Sequence, residues 1–219
     1  MTSKNEQPEP SRYFSLFPLL ALARDVAGGQ YDVSCEAGED GPSVACYTNP
    51  VTAVIDATQY ARAREPGYAP RLAGSLERAL FYRADCRCLM TDVRIGWPVL
   101  NRRIILRTDR TLSSVSRHIR VPVLHGEAPD SFELDEAGLQ WLDDIHERAG
   151  LFAWRETARA VASWPPDRVA QAANRALRSI EVTVCDPALC DEVALFDPET
   201  GQWHFVPSRD FVKAKYLKV

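Results

Sequence analysis

Lysine is almost missing from this chain. Only Lys4, Lys213, Lys215 and Lys218 occur, so arginine carries nearly all the positive charge between the two ends. Little lysine beside heavy alanine and arginine usage is the composition of a GC-rich bacterial coding sequence. The familiar signatures of catalysis are missing too. There is no G-x-S-x-G elbow, no phosphate-binding P-loop, no G-x-G-x-x-G and no H-E-x-x-H. No apolar run approaches the roughly 20 residues that span a bilayer, so no membrane segment is expected. The first twelve residues lack the basic-then-apolar order of a secretory signal. The expected compartment is therefore the cytoplasm.

Cysteine is sparse, with six in 219 residues, which excludes a dense disulfide framework. Free, mostly buried thiols are expected. Cys86 and Cys88 with Cys185 and Cys190, or with His118 and His125, are the one combination that could hold zinc. C-x-C and C-x4-C match the usual C-x2-C spacing poorly, so no metal and no cofactor are expected. Net charge is −4, which gives no bulk attraction to nucleic acid or to anionic lipid.

What is present describes a packed domain. Hydrophobic residues make up 46% of the chain, enough to bury a core. Residues 1–12 read as a disordered tail. Residues 13–219 read as a single α+β domain, with an antiparallel sheet, helices packed on one face, and a three-helix block over 130–179 before the C-terminal strands.

The best-punctuated stretch runs from Tyr31 to Glu65. Strands YDVSC and SVACYT flank the acidic loop EAGEDGP. Asn49-Pro50 then opens a helix, with Asn49 as N-cap and Pro50 where a missing N–H costs nothing. Pro66 ends it. Upstream, Leu19, Leu22, Ala23 and Val26 fall at helical spacing, which predicts a first helix over 16–27 stopped by Gly28-Gly29. Ser75 is placed to cap a short helix through Leu80.

Downstream, Val93, Ile95 and Trp97 alternate on a strand, and Pro98 to Asn101 read as a turn. Further strands are predicted at 103–108 and 117–124, the latter at an edge because of Pro122. Helices follow over 130–150, 152–164 and 166–178. The chain ends in strands around Val182 and Val184, expected to be buried, and in a hairpin across DPETGQ.

Charge is segregated in the second half. Arg94, Arg102, Arg103, Arg107, Arg110, Arg117 and Arg120 crowd the strands. Glu127, Asp130, Glu133, Asp135, Glu136, Asp143, Asp144 and Glu147 follow without an intervening lysine or arginine. The two blocks could neutralise each other. Two functional readings compete with that. In the first, Asp130, Glu133, Asp143, Asp144 and Glu147 form a face that docks on a basic protein, as an immunity protein docks on a toxin domain. In the second, Arg102, Arg103, Arg107, Arg117 and Arg120 hold phosphate, in an enzyme or a nucleic-acid-handling protein. No exposed aromatics are interleaved with the arginines, which argues against single-stranded nucleic acid. The protein-docking reading leads.

Overall fold

The computed structural model describes residues 19–209 apart from 27, 29, 38–40, 65 and 124–135. β1 (Leu20–Val26) turns at Gly28, whose φ of 85° suits glycine, into β2 (Gln30–Val33). β3 (Cys35–Glu36) and β4 (Ser43–Tyr47) pair antiparallel. α1 (Pro50–Ala63) comes next, and β5 (Ala69–Leu72) returns beside β1. After β6 (Tyr82–Arg83) comes the longest strand, β7 (Cys88–Leu100), then β8 (Arg103–Leu106) and β9 (Val115–Pro122). Three helices follow, α2 (Glu136–Arg148), α3 (Trp154–Ala162) and α4 (Pro166–Arg178). β10 (Glu181–Val184), β11 (Glu192–Asp197) and β12 (Gln202–Pro207) complete the described chain.

β7 organises the sheet. It pairs in parallel with β4 and antiparallel with β6, β8, β9 and β11. One strand serves so many neighbours because its register slips between Arg94 and Gly96. Its first half meets β4 and β9, and its second half meets β8 and β11. Glycine is required at the slip. A Cβ at Gly96 would lie 2.4 Å from the Ala194 carbonyl oxygen.

The sheet is mixed and not purely antiparallel, which corrects the sequence expectation. β4 with β7 and β8 with β10 are the parallel pairs. In both pairs a long connection lies between the strands, containing α1 in the first case and α2, α3 and α4 in the second, and such a crossover can return the chain in either sense. A second correction concerns residues 20–26, expected in a helix and found in β1. Ala21, Leu22 and Ala23 are buried, and β1 is paired on both sides. A strand covered on both faces shows a continuous apolar run, which helical spacing fits as easily as any other.

Smaller differences have local causes. Ser75 caps no helix. It ends a short 3-10 turn over Ala73–Ser75, and its hydroxyl donates to the Leu72 carbonyl. The turn expected at Pro98 lies at Asn101 and Arg102, both with positive φ, and β7 runs through the proline. Val182 and Val184 are 45% and 54% exposed, not buried, because β10 is an outer strand paired with β8.

Asn49 caps α1 as its chemistry predicts. Its side chain accepts from the Thr52 N–H at 3.0 Å. Alternate residues of β4 enter different clusters. Val44 and Cys46 pack with Leu142 and Ile145 of α2 and Trp154 of α3. Ala45 and Tyr47 pack with Ala53 of α1. A third cluster joins Val51 and Ile55 of α1 to Val169, Ala173 and Ala176 of α4, over Trp97, Val99 and Ile104.

Candidate functional site

Two cavities have chemically distinctive walls. The first, about 200 Å³, lies where α2 ends and α3 begins. Gly150, with φ of 77°, turns the chain sharply after α2. His146, Leu151, Trp154 and Phe196 wall the cavity, with Thr157, Asp197 and Glu199 among its polar groups. Phe152 is also in the wall and is 77% exposed.

His146 is the buried part of this wall. Its ring stacks on Trp154 with centroids 4.4 Å apart, and Nδ1 lies 2.7 Å from the Leu142 carbonyl oxygen. A carbonyl only accepts, so Nδ1 carries the proton. Burial pulls the His146 pKa down to about 4, against the Leu142 hydrogen bond and the Asp143 charge. The ring is therefore neutral at pH 7.

The residues nominated for a basic partner are placed as follows. Asp130 and Glu133 lie outside the described residues. Asp143 is engaged internally. It accepts from Trp154 Nε1 and from Arg155 Nε, each at 2.9 Å. Burial pushes its carboxyl pKa up, but these hydrogen bonds outweigh that and hold it below the usual range. Asp144 and Glu147 are exposed, and Gln140 donates to Asp144 at 3.0 Å.

The second cavity, about 360 Å³, lies over the first half of β7. Tyr47, Tyr60, Tyr68, Arg64, Arg94 and Arg107 line it with Glu36, Asp56 and Asp109. Beneath it is a buried ionic network. Glu36 is 7% exposed, and its two carboxylate oxygens accept from Arg94 and Arg107. Asp56 on α1 accepts from Trp97 Nε1 at 2.7 Å and from the Tyr47 hydroxyl at 2.9 Å. Arg94 lies 3.5 Å from the same carboxylate. Burial raises the Asp56 pKa, while Arg94, Trp97 and Tyr47 oppose that rise.

The sequence placed Glu36 at the start of a solvated loop and gave Asp56 no role. The one available signal was an acid at an inward position of an amphipathic helix. Asp56 follows Ile55, and both are buried.

The arginines nominated for phosphate have separate attachments. Arg102 pairs with Glu192 at 2.9 Å, Arg103 pairs with Glu181 at 2.9 Å, and Arg107 pairs with Glu36. Arg117 lies over the Trp141 ring at 5.6 Å. Arg120 Nε is 3.1 Å from Cys88 Sγ. Of the five, Arg107 is in the wall of the second cavity, where Arg64 and Arg94 join it.

A serine, an aspartate and a histidine also meet on this face of the sheet. Ser43 Oγ donates to Asp92, and His118 Nδ1 is 3.1 Å from the other Asp92 oxygen. The carboxylate stands between the other two. A nucleophilic serine needs the imidazole beside it to take its proton, so this order does not activate Ser43. All six cysteines are free thiols. Among the described residues no three His, Cys, Asp or Glu side chains gather in a way that could hold a metal. No helix among the described residues is long and apolar enough to cross a membrane. Comparisons with protein families, with characterised proteins and with solved structures find no match to this chain.

Proposed function

We propose that this chain is a cytoplasmic bacterial protein-binding protein that docks a basic partner, as an immunity protein neutralises a toxin domain by surface complementarity. The observation that carries the reading is Phe152. A phenylalanine 77% exposed is a poor neighbour for water, and it stands at a cavity walled by Trp154 and Phe196. Asp144 and Glu147 are exposed on α2 just before it, and Glu199 is exposed on the cavity wall. An aromatic anchor beside a hollow, with charged groups at its rim, is how many interfaces are built. Carboxylates at the rim steer a basic surface into contact and lose that effect as salt rises.

The test uses the products of genes adjacent to this one, purified and titrated against the chain. Binding of a basic protein is expected. Phe152→Ala should weaken it by about 2 kcal/mol or more, the cost typical of a central aromatic anchor. Asp144→Lys with Glu147→Lys should slow association at low salt and leave the melting temperature near that of the parent. Unchanged association by both variants would refute the reading.

A second reading rests on the arginine-lined cavity, which suits a phosphate-bearing ligand of an enzyme or nucleic-acid-handling protein. It ranks below the first because Arg107 and Arg94 already share Glu36, and Arg64 already pairs with Asp109. A phosphate would have to displace carboxylates. Titration with inorganic phosphate and with mononucleotides, read by calorimetry on the parent and on Arg107→Gln, decides this reading.

A further inference from the structure

Three sulfur atoms meet at the start of β7. Cys86 lies in the turn between β6 and β7, closed by Arg87 at φ 50°. Cys88 and Met90 follow on one face of the strand, both buried. Cys86 Sγ is 3.7 Å from Met90 Sδ, and the Cys86 and Cys88 thiols are within hydrogen-bonding reach of each other. Cys86 is partly exposed, so the cluster has one side open to solvent. We propose that Cys86, Cys88 and Met90 form a binding site for a soft monovalent metal ion, Cu(I), closed by two thiolates and one thioether.

The donor set selects the ion. Thiolate and thioether sulfurs favour Cu(I), whereas structural zinc takes four ligands from thiolate, imidazole and carboxylate. Here the third donor is a methionine, and no further His, Cys, Asp or Glu joins the pair among the described residues. The spacing also fits. Metal–sulfur bonds of about 2.3 Å put the sulfurs of a three-coordinate ion about 4 Å apart. The observed 3.7 Å needs only a small outward movement.

Charge is partly balanced in advance. Two thiolates and Cu(I) leave one negative charge, and the Arg120 guanidinium lies against Cys88 Sγ at 3.1 Å. A free cysteine thiol is mostly protonated at neutral pH, and a metal ion takes the thiolate form. Binding then releases two protons, forms two thiolate–copper bonds and one thioether–copper bond, and transfers no electron. The inference departs from the expectation that the chain holds no metal, which considered the zinc ligand types alone. Cys190, once a candidate fourth ligand, has its thiol against the Glu192 carbonyl at 3.6 Å.

The experiment is an anaerobic titration of the full chain with Cu(I) held by a chromophoric chelator. One Cu(I) per chain is expected, with a thiolate-to-copper charge-transfer band and a sulfur-only first shell in X-ray absorption. Proton release into weak buffer should approach two per copper. Cys86→Ser, at a partly exposed position where folding is checked by a melt, should abolish the band and the binding. Met90→Leu should keep the fold and both thiols yet weaken binding. Arg120→Gln, beside the ligands, should weaken it about ten- to a hundredfold. A variant with serine at Cys35, Cys185 and Cys190 should bind as the parent does. Parent-like binding by Cys86→Ser, or loss of binding in the triple variant, would overturn the proposal. So would a parent that competes with the chelator no better than Cys86→Ser.

Discussion

Acid should unfold this protein through His146 before it does so through the carboxylates. The imidazole is 9% exposed, stacks on Trp154 and donates Nδ1–H to the Leu142 carbonyl. Its folded pKa lies at about 4, and in the unfolded chain it returns to about 6.5. The folded pKa is depressed, so the unfolded state binds the proton first. Stability is complete above pH 6.5, falls as pH drops through the window from 6.5 to 4, and stops falling below it. Integrating the linkage from pH 7 to pH 4 gives a loss of about 3 kcal/mol from this one group. For a chain of this size that corresponds to about 6–12 °C in melting temperature.

The assay is denaturant unfolding at half-unit pH steps, for the parent and for His146→Asn. The asparagine can still donate to Leu142 but does not titrate. It loses the stack on Trp154, so it starts less stable at pH 7. The informative quantity is the slope. The parent should lose about 3 kcal/mol more than the variant between pH 7 and pH 4. Asp143 beside it has its pKa lowered by the Arg155 and Trp154 hydrogen bonds, so its own titration lies below the ordinary carboxylate range. Parallel curves would refute the reasoning and mean that His146 is solvated or protonated in the native state.

Other perturbations have definite signs. Gly96→Ala would set a Cβ against the Ala194 carbonyl and part β7 from β11, at a cost of about 1–3 kcal/mol; a melt superimposable on the parent would contradict the tight crossing. Asn49→Ala removes the acceptor for the Thr52 N–H and should cost about 1 kcal/mol, while Asn49→Asp should cost far less; equal losses would show that the cap contributes nothing. Asp56→Ala strips the acceptor from Tyr47 and Trp97 and one carboxylate from Arg94, and should cost about 3–5 kcal/mol by chemical denaturation. A loss under 1 kcal/mol there would mean that water repairs the network.

Local punctuation was legible and long-range pairing was not. Asn49-Pro50 opens α1 because capping chemistry acts over three residues, within reach of any sequence reading. DPETGQ joins β11 to β12 for the same reason, and Asp197 and Gly201 close that turn through a backbone hydrogen bond. The failures share the opposite trait. Residues 20–26 are a strand because β2, β4 and β5 supply partners, all of them from later in the chain. Pro98 sits inside β7 opposite Val193, about a hundred residues away, and the nearer turn uses Asn101 and Arg102 in place of a glycine. The alternation of Val182 and Val184 correctly marked a strand but could not reveal that β10 would lie outermost.

The same limit explains the charges. Read along the chain, an arginine block followed by an acidic block invites pairing between the two, or a partner for one of them. In the fold the arginines find acids elsewhere. Arg94 and Arg107 meet Glu36 from β3, Arg102 meets Glu192 from β11, and Arg103 meets Glu181 from β10. Within the acidic block, Asp143 turns to Arg155 on α3. Asp144 and Glu147 stay exposed on α2, close in sequence to the exposed Phe152, and belong to the docking rim proposed above.

Glu36 makes the clearest case. Burying an ion pair gains little net stability, because desolvation consumes most of the attraction. Breaking one is costly, because a charge is left without a partner. Glu36, Arg94, Asp56, Tyr47 and Trp97 come from β3, β7, α1 and β4, and their bonds tie these four elements together. Apolar patterning would tolerate β7 slipped along β4. The network penalises such a slip, since Arg94 would be carried away from both carboxylates. It therefore selects the register of the central strand, and with it the position of Gly96 beneath β11.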